Sequence, residues 1–169
     1  HDQQRHHGDA AAGTGTGRRG AQRAQAGGGH FYAPVTDTAV KEECGGCHLA
    51  FAPSMLPARS WTRLMTDLSN HFGTDASIDP DTAKKITDYL TANAADQTGT
   101  RYGNKLLRGV TSSQAPLRIT ELPSWVKEHR EVAPSEWQQS AVRSKANCTA
   151  CHRDAAQGDF EDDRVRIPK

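Results

Sequence analysis

The sequence predicts a mainly α-helical protein made of two small helical units. Apolar residues recur at helical spacing behind capping residues and helix-starting prolines, and the single run that resembles a strand is "PLRIT" at 116–120. The pattern Cys-x-x-Cys-His occurs once in each half, in "EECGGCHLAF" (42–51) and "NCTACHRDAA" (147–156), and together these use all four cysteines of the 169-residue chain.

The elements follow in order. Residues 1–29 contain no Leu, Ile, Val, Phe, Tyr, Trp or Met and are rich in Gly, Ala, Gln and Arg, so they predict a disordered tail or tether. His6 and His7 are read there as ordinary polar-tail residues, not as a metal tract. The chain starts at His1, which is expected of a processed or engineered start, such as follows signal-peptide removal. Packing should begin near "HFYAPVTD", with Thr36 capping a helix from Asp37 to about Cys47 that turns Val40 and Cys44 to one side. Pro53 and Pro57 predict a loop. Ser60 then caps "WTRLMTDLSNHF", whose stripe of Trp61, Leu64, Met65, Leu68 and Phe72 carries His71 inward before Gly73 stops the helix. Asp79-Pro80 starts another helix, through Ala83, Ile86, Tyr89 and Leu90 to about Asn93. Residues 96–116 read as a connector. Beyond it, "LPSWVKEHREV" should be a helix bearing Trp125, Val126, His129 and Val132, and "SEWQQSAVRSKANCTACH" another with Trp137, Ala141 and Val142 inside. The end, "GDFEDDRVRIPK", should be irregular and anchored by Phe160, Val165 and Ile167. These elements divide the packed chain into units 30–98 and 99–169.

Composition adds a constraint. Only 35% of residues are hydrophobic, with four Phe, three Tyr and three Trp, so side chains alone supply little of the buried area that offsets conformational entropy. The formal net charge of +1, without clustered Lys or Arg, excludes a nucleic-acid footprint. No segment approaches the ~20 apolar residues of a membrane span.

Cys-x-x-Cys-His is the attachment pattern of c-type haem, in which two thiols form thioethers and the adjacent histidine ligates the iron. A four-cysteine zinc site fits less well, because roughly 100 residues separate the pairs where zinc ribbons use about 15–20. A thioredoxin-type pair needs a βαβ context that is missing, and disulfides leave the two histidines unexplained. The reading is therefore two covalent haem c groups. One is attached through Cys44 and Cys47 with His48 proximal, the other through Cys148 and Cys151 with His152 proximal. Each unit is then a small helical c-type cytochrome unit packed around its haem. The haem-free chain should fold poorly, and the haem propionates make the net charge more negative than +1.

The second axial ligand decides between electron transfer and ligand chemistry. For the first haem the choice is His71, with Met65, Met55 and His30 as contenders. For the second it is His129, the remaining histidine of that half, since no methionine follows Met65. Cross-ligation, His71 to the second iron and His129 to the first, stays open. Bis-histidine ligation would make both haems comparatively low-potential carriers, since methionine is the ligand that raises the potential. Arg59, Lys105 and Arg118 are the cations considered as partners of propionates, and Glu161, Asp162 and Asp163 the acids that would steer a basic partner.

From about residue 32 to 168 the sequence resembles the soluble dihaem cytochromes c called DHC. The resemblance rests on "YAPVTD", "EECGGCH", "LPARSW", "NHFGTDAS", "YLTANAAD", "PLRITELP", "EH", "ANCTACH" and "GDFEDDRVRIP", in that order. It implies a periplasmic electron-transfer protein with two bis-histidine haems, and as partners an oxygen-binding monohaem cytochrome c and a membrane b-type cytochrome. Relay of single electrons between a membrane or soluble donor and a partner haem protein is thus the expected function. The alternative is a dihaem peroxidase or small-molecule reductase with one exchangeable site. A sensor role has no signalling segment to support it.

Overall fold

Proline opens four of the helical segments in a computed structural model of the chain, which describes residues 31–169. Pro53, Pro80, Pro123 and Pro134 each occupy a first-turn position, where the missing N–H costs nothing and the fixed φ suits a helix. The α-helices are α1 (Thr38–Gly45), α2 (Ala58–Met65), α3 (Pro80–Ala92), α4 (Ala95–Thr98), α5 (Arg101–Leu106), α6 (Pro123–Glu128) and α7 (Pro134–Trp137). Short 3-10 turns lie between and after them. No strand forms among the described residues. "PLRIT" runs into the 3-10 turn Ile119–Glu121, and the extended pairings are isolated bridges, Phe31 with Asp159 and His71 with Thr74.

Two predicted starts hold with different caps. Asp37, not Thr36, caps α1, its carboxylate accepting from the Val40 N–H at 3.1 Å. Thr36 instead donates its N–H to the Tyr89 hydroxyl at 3.1 Å, tying the chain entry to α3. In α2, Pro57 takes the cap position and Ser60 lies buried inside the helix. The first free N–H, that of Ala58, is satisfied from a distance by the Asp96 carboxylate at 2.9 Å. The start of α3 is as read, with Asp79 accepting from Thr82 at 3.2 Å and Ile86 and Leu90 buried.

Three expectations fail, for related reasons. Helix α2 ends at Met65, six residues before His71, because Thr66, Asp67, Ser69 and Asn70 offer the backbone other partners. The Thr66 hydroxyl turns back to the Arg63 carbonyl at 3.0 Å, and Asn70 accepts from the Gly73 N–H at 3.2 Å. His71 is thus on a turn, not a helical stripe, and Phe72 is 44% exposed. The long helix expected over 135–152 is reduced to α7, since Asn147 donates its side-chain amide to the Val142 carbonyl at 2.8 Å and Arg143 takes φ +70. Ala141 is exposed, while Val142 is buried. Val126, on α6, is 52% exposed. The connector, finally, contains α4 and α5, which pack on the Pro53–Met55 turn. Thr100 caps α5, a signal hidden by the surrounding Gly, Thr and Gln.

The core is one cluster from Tyr32 to Leu122, centred on Val40, Leu56, Ile86, Leu90 and Leu122. Helix α2 packs on α3, and the indole N–H of Trp61 donates to the Pro53 carbonyl at 2.8 Å, locking the proline turn onto the helix. Each fully buried Leu or Ile contributes about 1.5–3 kcal/mol. Beyond Leu122, Val142 and Ala155 are the buried apolar residues. The C-terminal third therefore has little core of its own.

Candidate functional site

The first Cys-x-x-Cys-His begins on the last turn of α1. Cys44 is half-buried there, and Cys47 and His48 follow as an exposed turn. Val40, one turn earlier, is 1% exposed and anchors the helix. His48 lies 2.6 Å through Nδ1 from the Leu49 carbonyl, which fixes Nδ1 as the N–H and leaves Nε2 as the free lone pair. Its ring stacks on Phe51 at 5.1 Å. His71 reaches the same place from the turn between α2 and α3. That turn is closed by His71 donating to Thr74 at 2.7 Å and Thr74 donating back at 3.1 Å. The two imidazole centres are 6.1 Å apart with planes 24° from parallel.

The second motif is built from turns. The 3-10 turn Cys148–Ala150 carries the first cysteine and is capped by Cys151, and the His152 N–H donates to the Cys148 carbonyl at 2.8 Å. The C-terminal segment returns over it, Arg166 donating its N–H to the Cys151 carbonyl at 2.9 Å. His129 caps α6. Its Nδ1 lies 2.7 Å from the Trp125 carbonyl and its ring stacks on the Trp125 indole at 4.0 Å, so Nε2 is again presented. The His129 and His152 rings are 6.2 Å apart, with planes at 75°. Both line a solvent-open cavity, together with Cys148, Cys151, Trp125, Trp137, Val142, Phe160, Val165 and Ile167.

These spacings test whether the residues suit haem. Two imidazoles on opposite sides of one metal, with bonds of about 2.0–2.1 Å and about 1.1 Å from nitrogen to ring centre, place their centres roughly 6.2 Å apart. Both pairs meet that value, and the cavity wall of the second is aromatic and aliphatic as a flat apolar macrocycle requires. Electrostatics agrees. Burial lowers the pKa of His71, with smaller contributions from His48 and Arg118, and lowers that of His129, so the neutral, ligating form is favoured. Burial also pushes the Cys148 thiol up to about 11 and raises Cys44 and Cys151. A thioether is uncharged, so attachment leaves no thiolate stranded in these sites, whereas zinc would require several. Among the described residues no three His, Cys, Asp or Glu side chains converge on a metal position.

The other candidates fall elsewhere. Met65 packs against the core at the end of α2, and Met55 is buried and lines the second cavity. His30, His6, His7 and the predicted tail lie outside the described residues. Arg59 is committed to backbone, donating to the Gln114 and Thr111 carbonyls, and sits 3.7 Å from Asp96. Lys105 pairs with Glu128 at 3.5 Å, and Arg118 lies over the Phe72 ring. Asp162 and Asp163 are exposed on the last 3-10 turn, which Glu161 precedes. The sequence reading missed Phe51, which was signalled by its place three residues after His48, and Tyr32, which lines the second cavity across Phe160 at 5.6 Å.

A model of the family "Dihaem cytochrome c" matches residues 40–160. The chain belongs to the dihaem cytochrome c family. Like its family it carries two covalently bound haem c groups and serves electron transfer. Among solved structures it is similar to a diheme cytochrome c from Rhodobacter sphaeroides, at 47% identity over 76% of this chain and 99% of that one, with a TM-score of 0.69. A second structure, of DHC purified from the same organism, is 45% identical over 75% and 99%, with a TM-score of 0.63. A diheme cytochrome type c from Shewanella baltica OS155 is 32% identical over 78% and 92%, with a TM-score of 0.64. No curated protein matches. Among the described residues no helix is long and apolar enough to cross a membrane.

Proposed function

We propose that the protein relays single electrons through two bis-histidine haems, each ligated within its own half. Cys44 and Cys47 attach the first haem, with His48 and His71 on its iron. Cys148 and Cys151 attach the second, with His152 and His129. The observation that carries this reading is the pair of imidazole separations, 6.1 Å and 6.2 Å. The same distances favour local pairing over cross-ligation. Haem supplies reversible one-electron iron chemistry. The protein's part is to hold two imidazoles at fixed spacing for each iron, one of each pair, His48 and His129, oriented by an Nδ1–H bond to the Leu49 or Trp125 carbonyl. Four histidines then occupy four axial positions, and nothing favours the peroxidase or reductase alternative, which needs an open one.

In this reading the units 30–98 and 99–169 hold one low-potential haem each. The protein works in the bacterial periplasm between a membrane or soluble donor, such as a membrane b-type cytochrome, and a monohaem c-type cytochrome that binds oxygen. The family resemblance is what supports these partners and this location. The test is EPR of the holoprotein with His71→Met and His129→Met. Each variant should lose one bis-histidine low-spin signal and keep the other, and the parent spectrum should ignore carbon monoxide. An unchanged signal in either variant removes that ligand, and a CO-binding parent overturns the carrier role.

A further inference from the structure

Taking His48 and His71 as the ligands of the first iron, as proposed above, we infer that Arg118 sets the reduction potential of that haem by standing a fixed cation beside the His71 ligand. The Arg118 guanidinium carbon is 4.1 Å from the centre of the Phe72 ring, and that ring is 4.8 Å from the His71 ring. The three groups form a chain of contacts from cation to aromatic ring to ligand, with the Phe72 and His71 planes tilted by 58°. Phe72 occupies this place at φ +52, a left-handed conformation that a bulky residue rarely adopts. The cation–π contact gives a reason for it to stay there.

The cation is also held. Its segment, 111–118, is clamped from α2 by two other arginines, Arg59 donating to Thr111 at 2.9 Å and to Gln114, and Arg63 donating to Ala115 at 3.0 Å. Glu121 approaches the Arg118 Nε at 3.6 Å, but both side chains are largely solvated, at 66% and 49% exposure, and water weakens that pair. Through the Phe72 ring the guanidinium is held one aromatic layer away from His71. A positive charge fixed beside the ligand disfavours ferric iron relative to ferrous, which raises the potential. The described charged lining of the second cavity is instead acidic on balance, with Glu128, Glu136 and Asp162 against Lys145. Arg118 should therefore act more strongly on the first haem than on the second and separate the two in potential.

Spectroelectrochemical titration of the holoprotein, with each haem followed through its own EPR signal, tests this on Arg118→Gln and Arg118→Lys. Arg118→Gln should shift the first haem's equilibrium threefold to tenfold toward ferric, a potential lower by roughly 28–59 mV, and shift the second less. Arg118→Lys should retain at least half of the wild-type offset, and the difference between the two variants should shrink as salt is raised. No shift in Arg118→Gln, an equal shift of both haems, or a lysine variant indistinguishable from the glutamine one would overturn the inference. Failure of the ligand reading shows separately, as an unchanged low-spin signal in His71→Met with Arg118 intact.

Discussion

The site at His48 and His71 is attached to a core that packs without it, whereas the site at His129 and His152 stands where the core would otherwise be. The first motif rides on α1, a helix fixed by Val40 and capped by Asp37, and His71 comes from a turn bracketed by α2 and α3. Leu56, Ile86 and Leu90 lie fully buried among these elements. The second motif sits on 3-10 turns, and its walls meet across a solvent-open cavity. Two copies of one five-residue pattern thus make different demands. On this geometry the first half should need its haem for function, and the C-terminal third should need it for structure as well. Low apolar content alone could not locate this asymmetry, since it averages over both halves.

The largest expected effect follows directly. Cys148→Ala with Cys151→Ala should lose one haem by mass spectrometry and, with it, the ordered C-terminal third: circular dichroism should fall and proteolysis should cut between about 129 and 169. Cys44→Ala with Cys47→Ala should lose one haem too, yet leave most helicity and protease resistance in place. Equal damage from the two double variants would abolish the distinction.

Two glycines sharpen it at the level of the backbone. Gly158 (φ +81) faces the Tyr32 backbone so closely that an added Cβ would collide with the Tyr32 carbonyl. The Tyr32 N–H also donates to the Gly158 carbonyl at 2.8 Å, so this crossing closes the chain entry over the second site. Gly73 (φ +88) next to the first site has open space where its Cβ would be. Gly158→Ala should therefore cost about 3 kcal/mol or more, overpacking added to left-handed strain. Gly73→Ala should cost about 1–2 kcal/mol from strain alone. Guanidinium unfolding of both holoproteins, followed by far-UV circular dichroism, gives the comparison. Similar losses would mean that the second site is no more tightly closed than the first.

How much of this the sequence held differs between the same two regions. The cysteines and their adjacent histidines were legible because the chemistry fixes their spacing. Asp79-Pro80 and the stripe behind it marked α3 plainly, because cap, first-turn proline and apolar period all agree there. Where polar side chains compete for the backbone, the periodicity misled. Thr66, Asp67, Ser69 and Asn70 end α2 early, and Ser140 through Asn147 replace a long helix by turns. His71 was chosen as a ligand with the wrong local structure, since its inward aim comes from the Thr74 bridge and not from a helical face. Tyr32 could not be found at all from local pattern. Its place beside the second cavity depends on residues more than 100 positions away, Gly158 and Phe160.

Tyr32 provides the smallest effect, and one that separates the regions by pH. It is 6% exposed, and burial, reinforced by Glu128 and Tyr102, pushes its hydroxyl up to about 12 from an ordinary 10. Between those values the unfolded chain has released the proton while the folded chain retains it. Stability is then unaffected below pH 10 and falls as pH rises toward 12, by about 1.4 kcal/mol at pH 11. Tyr32→Phe removes the ionisable group, so the difference in unfolding free energy between parent and variant should be flat to pH 10 and then narrow or reverse in the variant's favour. The fall should coincide with loss of protease protection around 129–169, because Tyr32 contacts Phe160, whose ring lies 5.1 Å from His152. An alkaline profile unchanged by Tyr32→Phe would mean that another group controls the transition. Loss of protection that began around His48 and His71 instead would place the weaker of the two sites in the first half.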